Sequence, residues 1–454
     1  MANENIDILR SNPKNSLIKL SIPIMVTMIT TSLYNIIDGV WIAGLGAYAI
    51  AGVGITIPLW MIINGLSSGL ANGVTSTITR FREESDEKAN LAGEQSIIIF
   101  FICSIILSAI LLIVLNPFLD FCNIDAPVYK EAVDYSIPLF AGLITFVFSN
   151  GLAAILRAEG DTKRAMYAMT LGIILNAILD PVFIYLLHMG SAGAAVSTIF
   201  TSFISAIIIF YWIFIKKDTY INLNTENIIK FKIKWEIIKD ILNTGIPASF
   251  VLFMLSFASF VFYYFISIVS GTLGIGIFSS GNRIYLLGLM PLTSMCSAFV
   301  AVVGTQYGSK NMKYLKLAHH YCCIYSVIIG ITVAILFITF SDQLAYVFLI
   351  SANDFQLFEG ISTFIKYTAL CIPFLGIGLP STYLYQGLGK GLQGLFCTTF
   401  TEVICTIPAT YIFAFILNYG LIGIWIGFIA GRGFSSIINY ILAKYSLKNL
   451  EKTI

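Results

Sequence analysis

From Ser96 to Leu115 the chain runs for roughly twenty residues without a charge, enough for an α-helix rising 1.5 Å per residue to cross a hydrocarbon core of about 30 Å. Ala192–Ile215 does the same, and comparable stretches recur along the whole chain. The composition agrees: 57% of the 454 residues are hydrophobic and 11% charged, against about 25% charged in soluble domains. No room is left for a sizeable soluble domain, and a net charge of +2 gives no sign of a nucleic-acid partner.

Breaks rich in charge, Gly or Pro divide the chain into about twelve spans. They fall near 16–40, 49–79, 92–116, 130–156, 163–187 and 192–215, then near 236–268, 276–305, 315–340, 359–385, 391–417 and 420–444. The expected class is an all-α, polytopic membrane protein in two pseudo-symmetric six-helix lobes. Its parts are an N-terminal segment over 1–15, an N-lobe over 16–215, a linker over 216–235, a C-lobe over 236–444 and a tail over 445–454. The polar 1–15 stretch lacks the basic start and short apolar core of a cleaved leader, so the first span is expected to persist in the mature protein.

The loops alternate in charge. One set holds Arg10 and Lys14; Arg80, Arg82 and Lys88; Arg157, Lys163 and Arg164; Lys216 to Lys239; Lys310 to Lys316; Lys390; and Lys444 to Lys452. The opposite set holds Asp120, Asp125, Asp342 and Asp354, with Lys130 almost alone as a cation. The excess of Lys and Arg predicts that both termini and the linker are cytoplasmic.

The halves echo each other. Ser21-Ile22-Pro23 matches Gly245-Ile246-Pro247, and Ser136-Ile137-Pro138 matches Cys371-Ile372-Pro373. Leu156 to Lys163 matches Tyr385 to Leu392, and Gly190-Ser-Ala-Gly193 matches Gly420-Leu-Ile-Gly423. Both halves start on the same side, so the repeat is parallel, and it is expected to enclose a cavity that rocking could open to either side.

The phosphate loop of a nucleotide hydrolase is missing, as are HExxH and CxxC patterns. Neither an enzyme nor a cofactor is expected. The eight cysteines read as small apolar residues and three histidines as too few for a metal centre. What remains are ionisable groups inside spans, each costing at least about 2.5 kcal/mol on insertion scales. Asp38 follows Tyr34 and Asn35 on one helix face, and Asp180 follows Asn176 by one turn. Pro181 offers no N–H to the carbonyl of Ala177, and span six adds the hydroxyls of Ser197 and Thr198. Such oxygens suit a hard cation, or two close carboxyls could share a proton. Asp38 and Asp180 have no acidic counterpart in the second half, which favours a functional over a scaffolding role. Glu402 and Arg432 are at similar depth on neighbouring spans and are expected to form a structural ion pair. Arg283, near the outer end of span eight, is free to snorkel or to touch a substrate.

Asn35-Ile-Ile-Asp38-Gly, Leu156-Arg-Ala-Glu-Gly-Asp161, Asn176-Ala-Ile-Leu-Asp180-Pro181, Gly190-Ser-Ala-Gly193 and Tyr383-Leu-Tyr-Gln-Gly-Leu-Gly389-Lys390 resemble the MATE (multidrug and toxic compound extrusion) transporters. The likeness covers essentially the whole chain and is nearest the MepA/DinF-like prokaryotic branch. It implies an efflux antiporter driven by inward H⁺ or Na⁺, with its lobes in a V. Residue by residue it implies a cation site at Asp38, Asn176, Asp180 and Thr198, polar cavity positions at Tyr135 and Asn150, and a helix bend at Pro23. Another branch carries acids in spans seven and ten; here Phe250–Ser267 and Tyr367–Gly389 have none.

The leading expectation is export of small amphipathic, cationic substrates by a monomer, with lipid as the surrounding partner. The substrate and cavity positions would be Tyr34, Asn35, Tyr135, Asn150 and Arg283, and the hinges Pro23 and Pro181. The alternatives are a lipid-linked saccharide flippase of the same superfamily, which would need more basic residues than Arg283 and Arg432, and a non-transporting scaffold or sensor, which would need neither Asp38 nor Asp180.

Overall fold

A computed structural model describes residues 2–122, 124–352 and 355–453. Asp354, one of the acids of the opposite loops, lies outside them, as do the chain ends Met1 and Ile454. Among the described residues there are no strands. Among these residues, ten helices are long and apolar enough to cross a membrane, or twelve if the bent pairs Ala126–Ala141 with Leu143–Ala158 (48°) and Phe355–Ala369 with Ile372–Gly387 (52°) each count as one span.

The helices overrun the apolar stretches that announce them. The second covers Tyr48–Glu84 and the third Asp86–Phe121, against 49–79 and 92–116 expected. Hydropathy marks where charges begin, whereas a helix stops where its backbone finds a cap. Here Ser85 supplies one, its Oγ accepting from Lys88 N at 3.2 Å. The first span likewise starts at Pro13, preceded by a short helix Ala2–Arg10. A helix at Ser341–Ala352 lies between spans nine and ten, where a loop was expected.

Two compact units divide the chain, Ile22–Ser249 with Met1–Ser11 and Phe250–Ile454 with Asn12–Ser21. The boundary at Ser249 falls inside the helix that begins at Trp235, not in the 216–235 linker. The linker is bound to the first unit through its backbone. Glu159 Oε1 accepts from Ile221 N (2.8 Å), Asn90 Oδ1 from Asn222 N (2.9 Å) and Glu94 Oε1 from Asn224 N (3.0 Å). The Gln95 amide donates to Lys232 O and accepts from Lys234 N, both at 2.9 Å. Arg164 pairs with Asp161 beside it and with Asp218 at 2.6 Å. A segment without regular pairing must satisfy its peptide groups elsewhere, and buried Glu94, Gln95 and Glu159 do this.

The repeat persists atom by atom within each unit. Asp161 N bonds Leu156 O (2.9 Å) around Gly160 (φ 80°), and Lys390 N bonds Tyr385 O (2.7 Å) around Gly389 (φ 76°). Leu187 N and Met189 N return to Val182 O and Phe183 O, as Leu417 N and Tyr419 N return to Ile412 O and Phe413 O. One sequence match is out of register. Ser136-Ile-Pro and Cys371-Ile-Pro stand 235 residues apart, while the turn glycines Gly160 and Gly389 stand 229 apart. The two bends, at Gly142 and at Leu370–Cys371, keep the 229 spacing, so Pro138 precedes its bend and Pro373 follows the other.

Candidate functional site

In the first unit, a polar cluster forms where spans one, five and six meet. Asn176 Nδ2 donates to Asp180 Oδ1 and to Ser197 Oγ, both at 2.7 Å. These three side chains are 3%, 0% and 0% exposed. Tyr34 OH and Thr198 Oγ1 are 3.3 Å apart, and Thr198 Oγ1 also donates to Ala194 O at 3.0 Å. Asp38 is half-buried, and its carboxyl lies within reach of Tyr34 and of Asp180. Tyr135 stands within Coulomb range of both acids. Asp180 Oδ2 is buried and receives no hydrogen bond among the described residues.

The local chain explains this. Asn176 and Asp180 are one turn apart near the end of Thr162–Pro181, so their side chains stack on one face. Pro181 then ends the α-helix, and Val182–Leu186 winds as a wider π turn. That turn brings Phe183 against Gly193, where a Cβ would come within 2.7 Å of the Phe183 carbonyl, and so seats the start of span six beside span five. Ser197 and Thr198 are one turn further along. The cluster is rich in oxygen and poor in donors, with one buried carboxylate oxygen unmatched. A proton or a hard cation completes such a set. Among the described residues no three His, Cys, Asp or Glu converge as transition-metal ligands would.

Among the described residues, no hydrogen bond joins the other sequence candidates to the cluster. Asn35 is exposed, and Asn150 spends its amide on Phe146 O of its own helix (3.1 Å). Pro23 is buried within the continuous helix Pro13–Ala43, beside the unit boundary at Ser21 and Ile22. In the second unit Arg283 is exposed, in Coulomb range of Tyr263. Arg432 Nη2 meets Glu402 Oε2 at 2.9 Å, Nη1 donates to Tyr285 OH at 2.8 Å, and the guanidinium lies 4.8 Å from the Phe428 ring centre.

Where the first unit has its acids, the second has an aromatic core. Phe262, matching Asp38, lies 4.4 Å ring to ring from Phe428, which matches Thr198. Thr410, matching Asp180, is fully buried and donates to Thr406 O of its own helix (2.5 Å). Tyr285 and Phe428, which hold Arg432, were not singled out by the sequence. Aromatic residues are too frequent in apolar spans to stand out there.

A twice-repeated bundle of bent and π-turned membrane helices, with an unmatched carboxylate inside one half, defines a multi-pass transporter. The chain belongs to the MatE family, whose model matches residues 23–182 and 247–412. It is 25% identical over 436 residues to "Probable multidrug resistance protein NorM" of Thermotoga maritima, covering 94% of this chain and 91% of that one. It is 22% identical over 421 residues to "Multidrug export protein MepA" of Staphylococcus aureus, covering 90% and 88%. Among solved structures, "MATE in complex with MaL6" superposes with a TM-score of 0.95 at 32% identity, over 99% of each chain.

Proposed function

We propose that the protein is a secondary active antiporter that exports small amphipathic cations, driven by inward H⁺ or Na⁺ taken up at Asp38, Asn176, Asp180 and Thr198. The observation that carries this reading is the buried Asp180 Oδ2, which lacks a donor while a second carboxyl stands beside it. An anion so placed is costly until a proton or cation joins it. Uptake of the ion alters the balance between two arrangements of the lobe, and release on the other side restores it. The relatives named for multidrug resistance and multidrug export support the substrate class. Tyr34, Asn35, Tyr135, Asn150 and Arg283 would meet substrate, and Pro23 and Pro181 would act as hinges in spans one and five. Glu402 and Arg432 would neutralise each other as structure. Because Arg432 is already engaged by Glu402 and Tyr285, it is poorly placed to hold a pyrophosphate, which favours export over lipid-linked saccharide flipping. The chain would work as a monomer in a prokaryotic plasma membrane, with both termini cytoplasmic.

Transport of a fluorescent lipophilic cation in proteoliposomes, with ΔpH and ΔNa⁺ imposed separately, tests this. One gradient should drive wild-type export, and Asp180→Asn or Asp38→Asn should abolish the driven component at equal incorporation. Driven export that survives both substitutions would sink the proposal.

A further inference from the structure

The first unit holds an apolar cavity of about 290 Å³ under the linker. Its walls are Ile97, Ile98, Phe101, Phe148, Phe210 and Phe214, from spans three, four and six, and the short helix Thr225–Ile229 closes one side. Ile97 and Ile98 are buried, while Phe101 and Phe210 are 37% and 41% exposed at the mouth. No part of the Asp38–Asp180 cluster lines it.

The chain that leaves this helix alternates strictly: Ile229-Lys230-Phe231-Lys232-Ile233-Lys234-Trp235. All four apolar members are exposed, by 75%, 47%, 55% and 67% in order. The three lysines between them are exposed too, and no acid falls between Glu226 and Glu236. Lys230 pairs with Glu226, whereas Lys232 and Lys234 have no acidic partner among the described residues. The segment is held in place, because Gln95 fixes both Lys232 O and Lys234 N and Phe101 meets Phe231 ring to ring at 6.0 Å. Four ordered apolar side chains facing water would be costly. At the boundary between acyl chains and headgroups the same row is favourable, with its lysines at phosphate level. An apolar cavity opening beside unpaired cations has the chemistry of one amphiphile, a long alkyl chain ending in an anion.

We propose that the cavity and the 229–235 segment form a binding site for one anionic phospholipid of the bilayer, an acyl chain lying in the cavity and the phosphate held by Lys232 and Lys234. The site is independent of the ion-coupling cluster.

The test is native mass spectrometry of the full-length protein, extracted in detergent after equilibration with equal phosphatidylglycerol and phosphatidylcholine of matched chains. One phosphatidylglycerol should remain bound after annular lipid is stripped. Lys232→Gln with Lys234→Gln should lower its preference over phosphatidylcholine by about five-fold per lysine, and added salt should lower it in the wild type. Ile228→Trp, which fills the mouth, should expel the lipid while helix content and elution volume stay unchanged. If that variant does not fold, Thr225→Leu on the exposed rim serves the same purpose. Equal retention of the two lipids by the wild type, no retained lipid, or retention unaffected by the filling variant would each overturn the proposal.

Discussion

Asn176 and Asp180, one turn apart on the fifth span, are joined by a 2.7 Å bond from Nδ2 to Oδ1, and the same nitrogen reaches Ser197 Oγ at 2.7 Å. Both amide hydrogens are thereby used, so Asn176 has none left for Asp180 Oδ2. Asn176→Ala strips the donor from two buried oxygens. A loss of about 1–3 kcal/mol is expected, read as a lower apparent Tm in detergent. Saturating coupling ion should restore part of it, since a ligand that binds the folded state stabilises it. An unchanged Tm would show that the amide carries no such weight.

Glu159 gives the linker a pH dependence. Burial pushes its carboxyl up to about 7 from an ordinary 4.5, although Ile221 N and the nearby Arg164 pull the other way and Asp161 adds to the rise. The folded protein therefore holds a proton that the unfolded chain has already lost between those values. Stability falls as pH rises from about 4.5 to about 7 and is flat above, by on the order of 3 kcal/mol. Glu159→Gln should flatten that interval, measured as the wild-type minus variant Tm from pH 4.5 to 8. Parallel curves would refute it.

The Glu402–Arg432 pair is buried to 7% and 12% side-chain exposure. Removing one partner strands a charge, so Glu402→Gln should destabilise by about 3–5 kcal/mol. Glu402→Leu combined with Arg432→Leu should be milder than Glu402→Gln alone. If the double variant is the worse of the two, the pair adds net stability rather than only neutralising itself.

Glycine positions separate close approach from open space. A Cβ at Gly193 would lie 2.7 Å from the Phe183 carbonyl and one at Gly423 would lie 2.5 Å from Phe413 O, whereas Gly54 has nothing within 4 Å. Gly193→Ala and Gly423→Ala should each cost about 1–3 kcal/mol. Gly54→Ala, inside the helix Ala47–Glu84, should gain up to about 1 kcal/mol. The ranking of the three apparent Tm values decides.

Much of the candidate cluster was legible because helix periodicity alone places Tyr34 with Asp38 and Asn176 with Asp180. That Asn176 would choose Ser197 while Thr198 turned to Tyr34 was not legible. Adjacent residues on a helix point about 100° apart, and only the seating of span six decides which one faces span five. The register of the repeat also escaped a reading of short motifs. A Ser-Ile-Pro match is cheap by chance, whereas the paired turns at Gly160 and Gly389 rest on a backbone conformation that few residues adopt.

The sequence by itself determined the solvent, the many-span helical class and the unequal charge of the two halves, because a charge in hydrocarbon is too costly to occur without a purpose. Tertiary structure decided where the helices stop, how the linker is held by Glu94, Gln95 and Glu159, and which oxygen of Asp180 is left unmatched. Those outcomes depend on contacts between residues far apart in the chain, about which local hydropathy carries no information.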